Sequence, residues 1–204
     1  MRIIQQPPFM FRWAYPEAVW RLSKTEKSVY LTFDDGPIPE VTPWVLDLLN
    51  QHGIKATFFC VGENVSRYPE IFKQIINEGH KVGNHSQHHV RGRDLSLEEY
   101  LNDVQEAQEL IHSNLFRPPY GSLSIQQYNK LKKLYKIVFW DVLTEDYNNK
   151  LTPNECLENV RKYSRNGSVI VFHDSLKAWE RLLEFLPSAI QYLKEEGYNF
   201  NLID

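Results

Sequence analysis

The sequence predicts an α/β fold built on a parallel sheet, and three observations carry that reading. Short β-branched and aromatic runs alternate with helical stretches along nearly the whole chain. The runs show little apolar–polar alternation, as strands buried on both faces do. The polar residues that look out of place gather just after the runs, not within them. Strand–helix repetition of this kind implies right-handed crossovers and a sheet covered by helices.

Strands are expected at 28–33 (SVYLTF), 56–61 (ATFFCV), 80–84 (HKVGN), 115–117, 136–140 (KIVFW), 168–172 (SVIVF) and 199–203. Helices fill the gaps. One is expected at 41–52, opening near Thr42-Pro43 and ending before Gly53, and another at 68–78, closed by Gly79. A third, 97–112, follows Ser96 with Glu99 three residues on, the spacing of a capping box. Others are expected at 124–134, at 153–165 before Gly167, and at 177–196 before Gly197. Seven strands suit an open doubly wound sheet or a barrel, and the pattern favours neither.

Residues 1–27 carry Phe9, Phe11, Trp13, Tyr15 and Trp20 among prolines. We expect an extended arm packed on the outside or bottom of the domain formed by 28–204. A sugar-binding or interfacial surface is the alternative use for amphipathic rings.

A chain of 204 residues is long enough for one domain with a full core and short for two. Its 42% hydrophobic and 24% charged residues exclude a disordered chain. The net charge of −3 argues against general nucleic-acid affinity. Two cysteines, Cys60 and Cys156, make no disulfide framework and no C-x-x-C pair. No apolar stretch approaches the roughly 20 residues of a membrane span. The opening MRIIQQPPFMFRW lacks the continuous apolar region and small-residue cleavage site of a signal peptide, so a cytoplasmic location is the default expectation.

Five polar clusters follow five expected strands: Asp34-Asp35-Gly36-Pro37, His85 to His89, Arg117 to Gly121, Asp141 to Tyr147, and His173-Asp174. Strand C-terminal ends are where α/β folds place their ligands. Taken alone, Asp34 and Asp35 suit a turn. His85 and His89 are four apart, so a helical turn puts them on one face. His52, His80, His88 and His112 have no partner motif and are read as structural. Two histidines and an aspartate are a common ligand set for a metal that keeps a position open for water.

Thr32-Phe33-Asp34-Asp35-Gly36-Pro37, Asn84-His85-Ser86-x-x-His89, Arg117-x-Pro119-Tyr120, Asp146-Tyr147 and Val171-x-His173 stand in this order along the chain. Together they resemble the five motifs of the polysaccharide deacetylase family (carbohydrate esterase family 4, the NodB-homology domain). The resemblance spans nearly everything after residue 27. It implies a distorted (β/α)7-type barrel and a metal-dependent hydrolase that releases acetate from an acetylated glycan, such as chitin oligomers or peptidoglycan. N-acetyl groups are the expected target and O-acetyl groups the alternative. The same resemblance implies that Asp34 is the general base and that Asp35, His85 and His89 hold one divalent ion, zinc before cobalt, manganese or nickel. Arg117 would orient Asp34, and Asp146 would orient His173, the general acid. The Tyr120 N–H would help hold the oxyanion, and Val171 would line the acetyl-methyl pocket. Tyr120, Tyr147 and Trp140 would flank the sugar. Two positions depart from the family pattern: Val90 stands where proline is frequent, and Tyr147 where tryptophan is usual. Both put the identity of the glycan in doubt, not the chemistry.

Overall fold

The structure, a computed structural model, describes residues 5–7 and 9–204. Its strands are β1 Ser28–Asp34, β2 Thr57–Cys60, β3 Lys81–Asn84, β4 Leu115–Phe116, β5 Lys136–Ile137, β6 Val142–Leu143, β7 Ser168–His173 and β8 Asn199–Phe200. The helices are α1 Phe9–Ala14, α2 Thr42–Gln51, α3 Gly62–Arg67, α4 Pro69–Asn77, α5 Leu97–Ile111, α6 Ile125–Leu131, α7 Pro153–Tyr163 and α8 Trp179–Glu195. The strands pair in parallel in the order β5-β4-β3-β2-β1-β7-β6, and β8 pairs with the start of β1.

Alternation along the strands decides which residues reach which layer. Val29, Leu31 and Phe33 of β1, with Ile170 and Phe172 of β7, pack outward against helix residues such as Val45, Leu49, Phe185 and Ile190. The other face turns inward. There Tyr30, Phe59, Leu115, Val138, Val169 and Ile203 meet in one cluster, although each comes from a different strand or the residues just after one. Such a meeting requires the sheet to curl, and it forms a half-barrel. Farther along the same inward faces come Thr32 and Asp34 on β1 and Val171 and His173 on β7. The interior is therefore apolar at the strand starts and polar at the strand ends.

β5 and β6 are the open edges, and the N-terminal arm covers them. Val19 N donates to Ile137 O, and Phe139 N to Val19 O, each at 2.8 Å. Leu143 N donates to Gln5 O at 2.8 Å, and Leu22 N to Gly167 O at 2.9 Å. Covering exposed edges in this way removes unpaired backbone groups that would otherwise recruit other strands. The arm is not wholly extended as expected, because α1 interrupts it. Its rings also divide. Tyr15 and Trp20 are buried, with Trp20 stacked on Phe139 at 4.3 Å, whereas Phe11 and Trp13 are exposed.

The helix starts follow the sequence closely. Ser96 with Glu99, Ser124 with Gln127, and Thr152 with Glu155 all form complete capping boxes. Each N-cap contributes about 1 kcal/mol.

The expected strand 136–140 is corrected. Only its first two residues pair with β4; Phe139 then bonds the arm, and a separate β6 begins at Val142. Asp141 accordingly lies at the start of β6 and not at an active-site end. There its buried carboxylate accepts from Arg165 Nε and Nη2 at 2.8 and 2.6 Å, from Arg12 Nη2 at 3.1 Å and from Ser168 Oγ at 2.8 Å. This pairing ties the arm to the α7–β7 connection.

Candidate active site

The two aspartates sit where β1 ends. Asp34 completes the strand in register with Phe59 and His173, and Asp35 turns away with φ 83°, a left-handed conformation rare for non-glycine residues. The loop is held from several sides. Asn64 Nδ2 donates to Asp35 O at 2.8 Å, and Val61 N to Gly36 O at 3.0 Å. Asp174 supplies the rest. Its N–H donates to Asp34 O at 3.0 Å, while its carboxylate accepts from Gly36 N at 3.1 Å and Thr42 Oγ1 at 2.6 Å. Burial pushes this carboxyl well above the ordinary range. Asp174 had no assigned role in the sequence; its position directly after His173, facing a turn that lacks a side chain at Gly36, was the available signal.

The close fit at Gly36 gives a direct test. A Cβ there would lie 2.0 Å from Asp174 Oδ2. Gly36→Ala is expected to lower stability by about 1–3 kcal/mol, the usual cost of forced overpacking. Denaturant unfolding measures it, and an unchanged midpoint would show that the loop is not locked by this contact.

The histidine loop follows β3. The expected helical turn is absent: the loop is irregular, with Ser86 and His89 at φ 63° and 52°. It nevertheless brings both rings to Asp35. His85 Nδ1 donates to Arg117 O at 2.7 Å, which leaves Nε2 as the lone-pair nitrogen facing inward. His85 Nε2 is 3.7 Å from Asp35 Oδ1, and His89 Nε2 is 3.1 Å from the same oxygen. Burial pulls His85 down to about 4, so it is neutral at neutral pH. Burial pushes Asp35 up, but His89 and the charge of His173 outweigh it and hold the carboxyl below the usual range. His88 points elsewhere, as expected, and its Nδ1 lies 2.6 Å from Asp103 of α5, whose other oxygen accepts from Gln87 N.

These three donors fit a cation. Their ligand atoms all lie within 4.8 Å of one another. Asp35 Oδ1 is buried and makes no hydrogen bond, despite two imidazole nitrogens beside it. A buried carboxylate oxygen without a donor is costly unless a positive charge completes it.

On one side of this group stands Arg117, fully buried. Its Nη1 donates to Asp34 Oδ1 at 2.5 Å and Thr32 Oγ1 at 2.8 Å, and Nη2 donates to Phe139 O at 3.0 Å. Its guanidinium lies 4.1 Å from the Phe59 ring centre. Asp34 Oδ2 is left facing the candidate metal-binding cluster, 3.9 Å from His85 Nε2. On the other side, Asp146 holds His173 twice: its Oδ2 accepts from the backbone N at 2.8 Å, and Oδ1 lies 2.6 Å from ring Nδ1. Burial works against the charged ring, but Asp146 first, then Asp35 and Asp34, push His173 up to about 9.

The rim is aromatic. Tyr120, at φ 59°, is exposed, and its ring centre is 4.8 Å from His89. Tyr147 meets His173 edge-on at 4.8 Å. Trp140 is half-buried against Gly121, behind Tyr120. Val171 is buried two residues before His173 on the same strand face. The residues to which the family resemblance gave site roles therefore gather at one end of the half-barrel, with Trp140 a layer back, whereas Asp141 lies apart.

Fold and site together define a half-barrel hydrolase with a two-histidine, one-aspartate centre between a held carboxylate and a held histidine. Residues 21–136 match the family model for polysaccharide deacetylase, and the chain belongs to that family. Its activity class is that of the family, hydrolytic deacetylation. A peptidoglycan-N-acetylglucosamine deacetylase of Bacillus cereus is 33% identical over 189 residues, covering 89% of this chain and 88% of that protein. A chitooligosaccharide deacetylase of Azorhizobium caulinodans is 36% identical over 165 residues, covering 76% and 77%. A solved peptidoglycan N-acetylglucosamine deacetylase, in complex with 4-naphthalen-1-yl-N-oxidanyl-benzamide, superposes with a TM-score of 0.89 at 33% identity. It covers 97% of this chain and 95% of its own. The fold is thus the barrel that the motifs implied. No helix among the described residues is long and apolar enough to cross a membrane.

Proposed function

We propose that this chain removes N-acetyl groups from glucosamine units of peptidoglycan, using one divalent ion, zinc first, at Asp35, His85 and His89. Cobalt, manganese and nickel are the alternatives. The observation that carries the reading is the orphaned Asp35 oxygen between two imidazoles, flanked by Asp34 and His173 in opposite protonation roles. The relatives' substrates support the choice of glycan. The N-hydroxybenzamide of the solved relative supports the metal, because hydroxamic acids chelate divalent ions.

When bound, the ion supplies Lewis-acid polarisation of the acetyl carbonyl and an acidified water. The remaining work falls to side chains. Asp34 Oδ2 takes a proton from the attacking water while Arg117 keeps Oδ1 in place. A C–O bond forms, and the developing oxyanion accepts from the Tyr120 N–H, a donor whose loss typically costs about 10²–10³ in rate. Val171 receives the acetyl methyl, and Tyr120 and Tyr147 flank the sugar, with Trp140 backing Tyr120. His173, its Nδ1 donating to Asp146, gives the Nε2 proton to the amine as the C–N bond breaks. An O-acetyl ester fits the same machinery and depends less on that proton.

Acetate release from peptidoglycan and N-acetylglucosamine oligomers, with and without added zinc, tests the reading. No release by metal-loaded protein from either would overturn it. Within the mechanism, Asp34→Asn preserves shape but not basicity. It is expected to keep its metal and lower kcat by about 10²–10⁴. Near-normal kcat in the loaded variant would remove Asp34 from the role.

A further inference from the structure

Each of the two aromatic rings on the rim has a cation over it. The Arg91 guanidinium carbon lies 4.7 Å from the Tyr120 ring centre, and Tyr120 in turn lies against His89. Across the groove, Lys177 Nζ is 5.5 Å from the centre of Tyr147, which lies against His173. Among the described residues neither cation is held by a buried carboxylate. Arg91 is half-exposed, and its carboxylate neighbour, exposed Asp94, is 4.0 Å away, a pair of negligible worth in water. Among the described residues no carboxylate lies within 4.0 Å of Lys177 Nζ. A sugar stacking on Tyr120 or Tyr147 needs no cation behind the ring, and an exposed cation–π contact stabilises a wall by only about 0.5–1 kcal/mol.

The floor of the groove makes the placement meaningful. Asp34, Asp35, Glu145 and Asp146 are all carboxylates at the strand ends. Within that floor Asp34 is already paired with Arg117 and Asp146 with His173, so the two cations on the flanks are the charges left to attract carboxylates on neighbouring sugars. We propose that Arg91 and Lys177 read carboxylates on the sugars either side of the one deacetylated. The groove then prefers an anionic glycan, such as one carrying lactyl ethers or peptide stems, over a neutral chitin chain. This rests on the deacetylase reading and adds the substrate's charge to it.

The test compares kcat/KM for acetate release by metal-loaded protein on three substrates. These are N-acetylglucosamine oligomers, N-acetylglucosamine–N-acetylmuramic acid oligomers, and the latter with their lactyl carboxylates amidated. The wild type is expected to favour the charged oligomer over its amidated form by on the order of tenfold, mainly through KM, and added salt should shrink that ratio. R91Q and K177Q should each lower the ratio, the double variant should bring it near one, and R91K should retain part of it. A purely structural role for either residue would not respond to amidation of the substrate. Equal rates on charged and amidated oligomers, or a double variant with the full preference, would overturn the inference while leaving the deacetylase reading intact. No acetate from any of the three would overturn both.

Discussion

Asp35→Ala and His85→Ala are expected to lose bound metal and activity together, each by at least about 10²-fold in turnover. Every ligand of a three-donor site is needed to leave one open position and no more. Asp35 contributes the only negative charge among the three donors, and its inward oxygen has no other partner. His85 contributes a nitrogen that is already free of its proton at neutral pH, since burial holds it near 4, so no proton must be displaced to bind there. The ring cannot swing to spare the site, because Nδ1 is anchored on the Arg117 carbonyl. Elemental analysis of the purified variants, beside acetate release, makes the measurement. Thermal unfolding of the metal-free forms separates site loss from fold loss. Full metal content in both variants would move the centre elsewhere.

The motifs made this centre readable because its chemistry is written in short segments. Asp34-Asp35 and His85-x-x-x-His89 keep their spacing in any fold, so the proposed ligands still meet although the expected helical turn is absent. The histidines do not share a helical face, yet backbone turns at Ser86 and His89 bring both rings to one oxygen. What the sequence hid was tertiary. The stretch KIVFW looks like one strand because periodicity cannot register that Phe139 will bond an arm over a hundred residues away. For the same reason Asp141 looked like an active-site residue, although its partners Arg12 and Arg165 place it in the scaffold. Asp174 and the cations Arg91 and Lys177 belong to no local pattern at all. Their meaning comes from what faces them, and only the folded chain supplies it.

His173→Ala separates two losses that a structural histidine would keep equal. Asp146 fixes Nδ1, so the imidazolium presents Nε2–H to the departing nitrogen. An amide cannot leave as an anion, and general-acid help of this kind is worth about 10²–10⁴. The variant should lose that much in kcat on N-acetyl glycans and far less on a nitrophenyl acetate, whose leaving group departs without a proton. The pH profile should follow the same logic. The ring, pushed up to about 9 from an ordinary value near 6.5, stays protonated through neutral pH, so the rate should fall on the alkaline side as it deprotonates. A dication on Asp35 removes part of the support for the charged ring, which sets the alkaline limb of the loaded enzyme at or below 9. Stability carries the matching sign. Between about 6.5 and 9 the folded state binds a proton that the unfolded chain releases, so this histidine's contribution is fully present below 6.5 and lost as pH rises through 9. His173→Ala should therefore flatten the alkaline fall in unfolding free energy as well as the alkaline limb of the rate. Equal rate losses on amide and activated ester, in a variant that keeps its metal, would leave His173 a binding or structural residue and assign the leaving-group proton elsewhere.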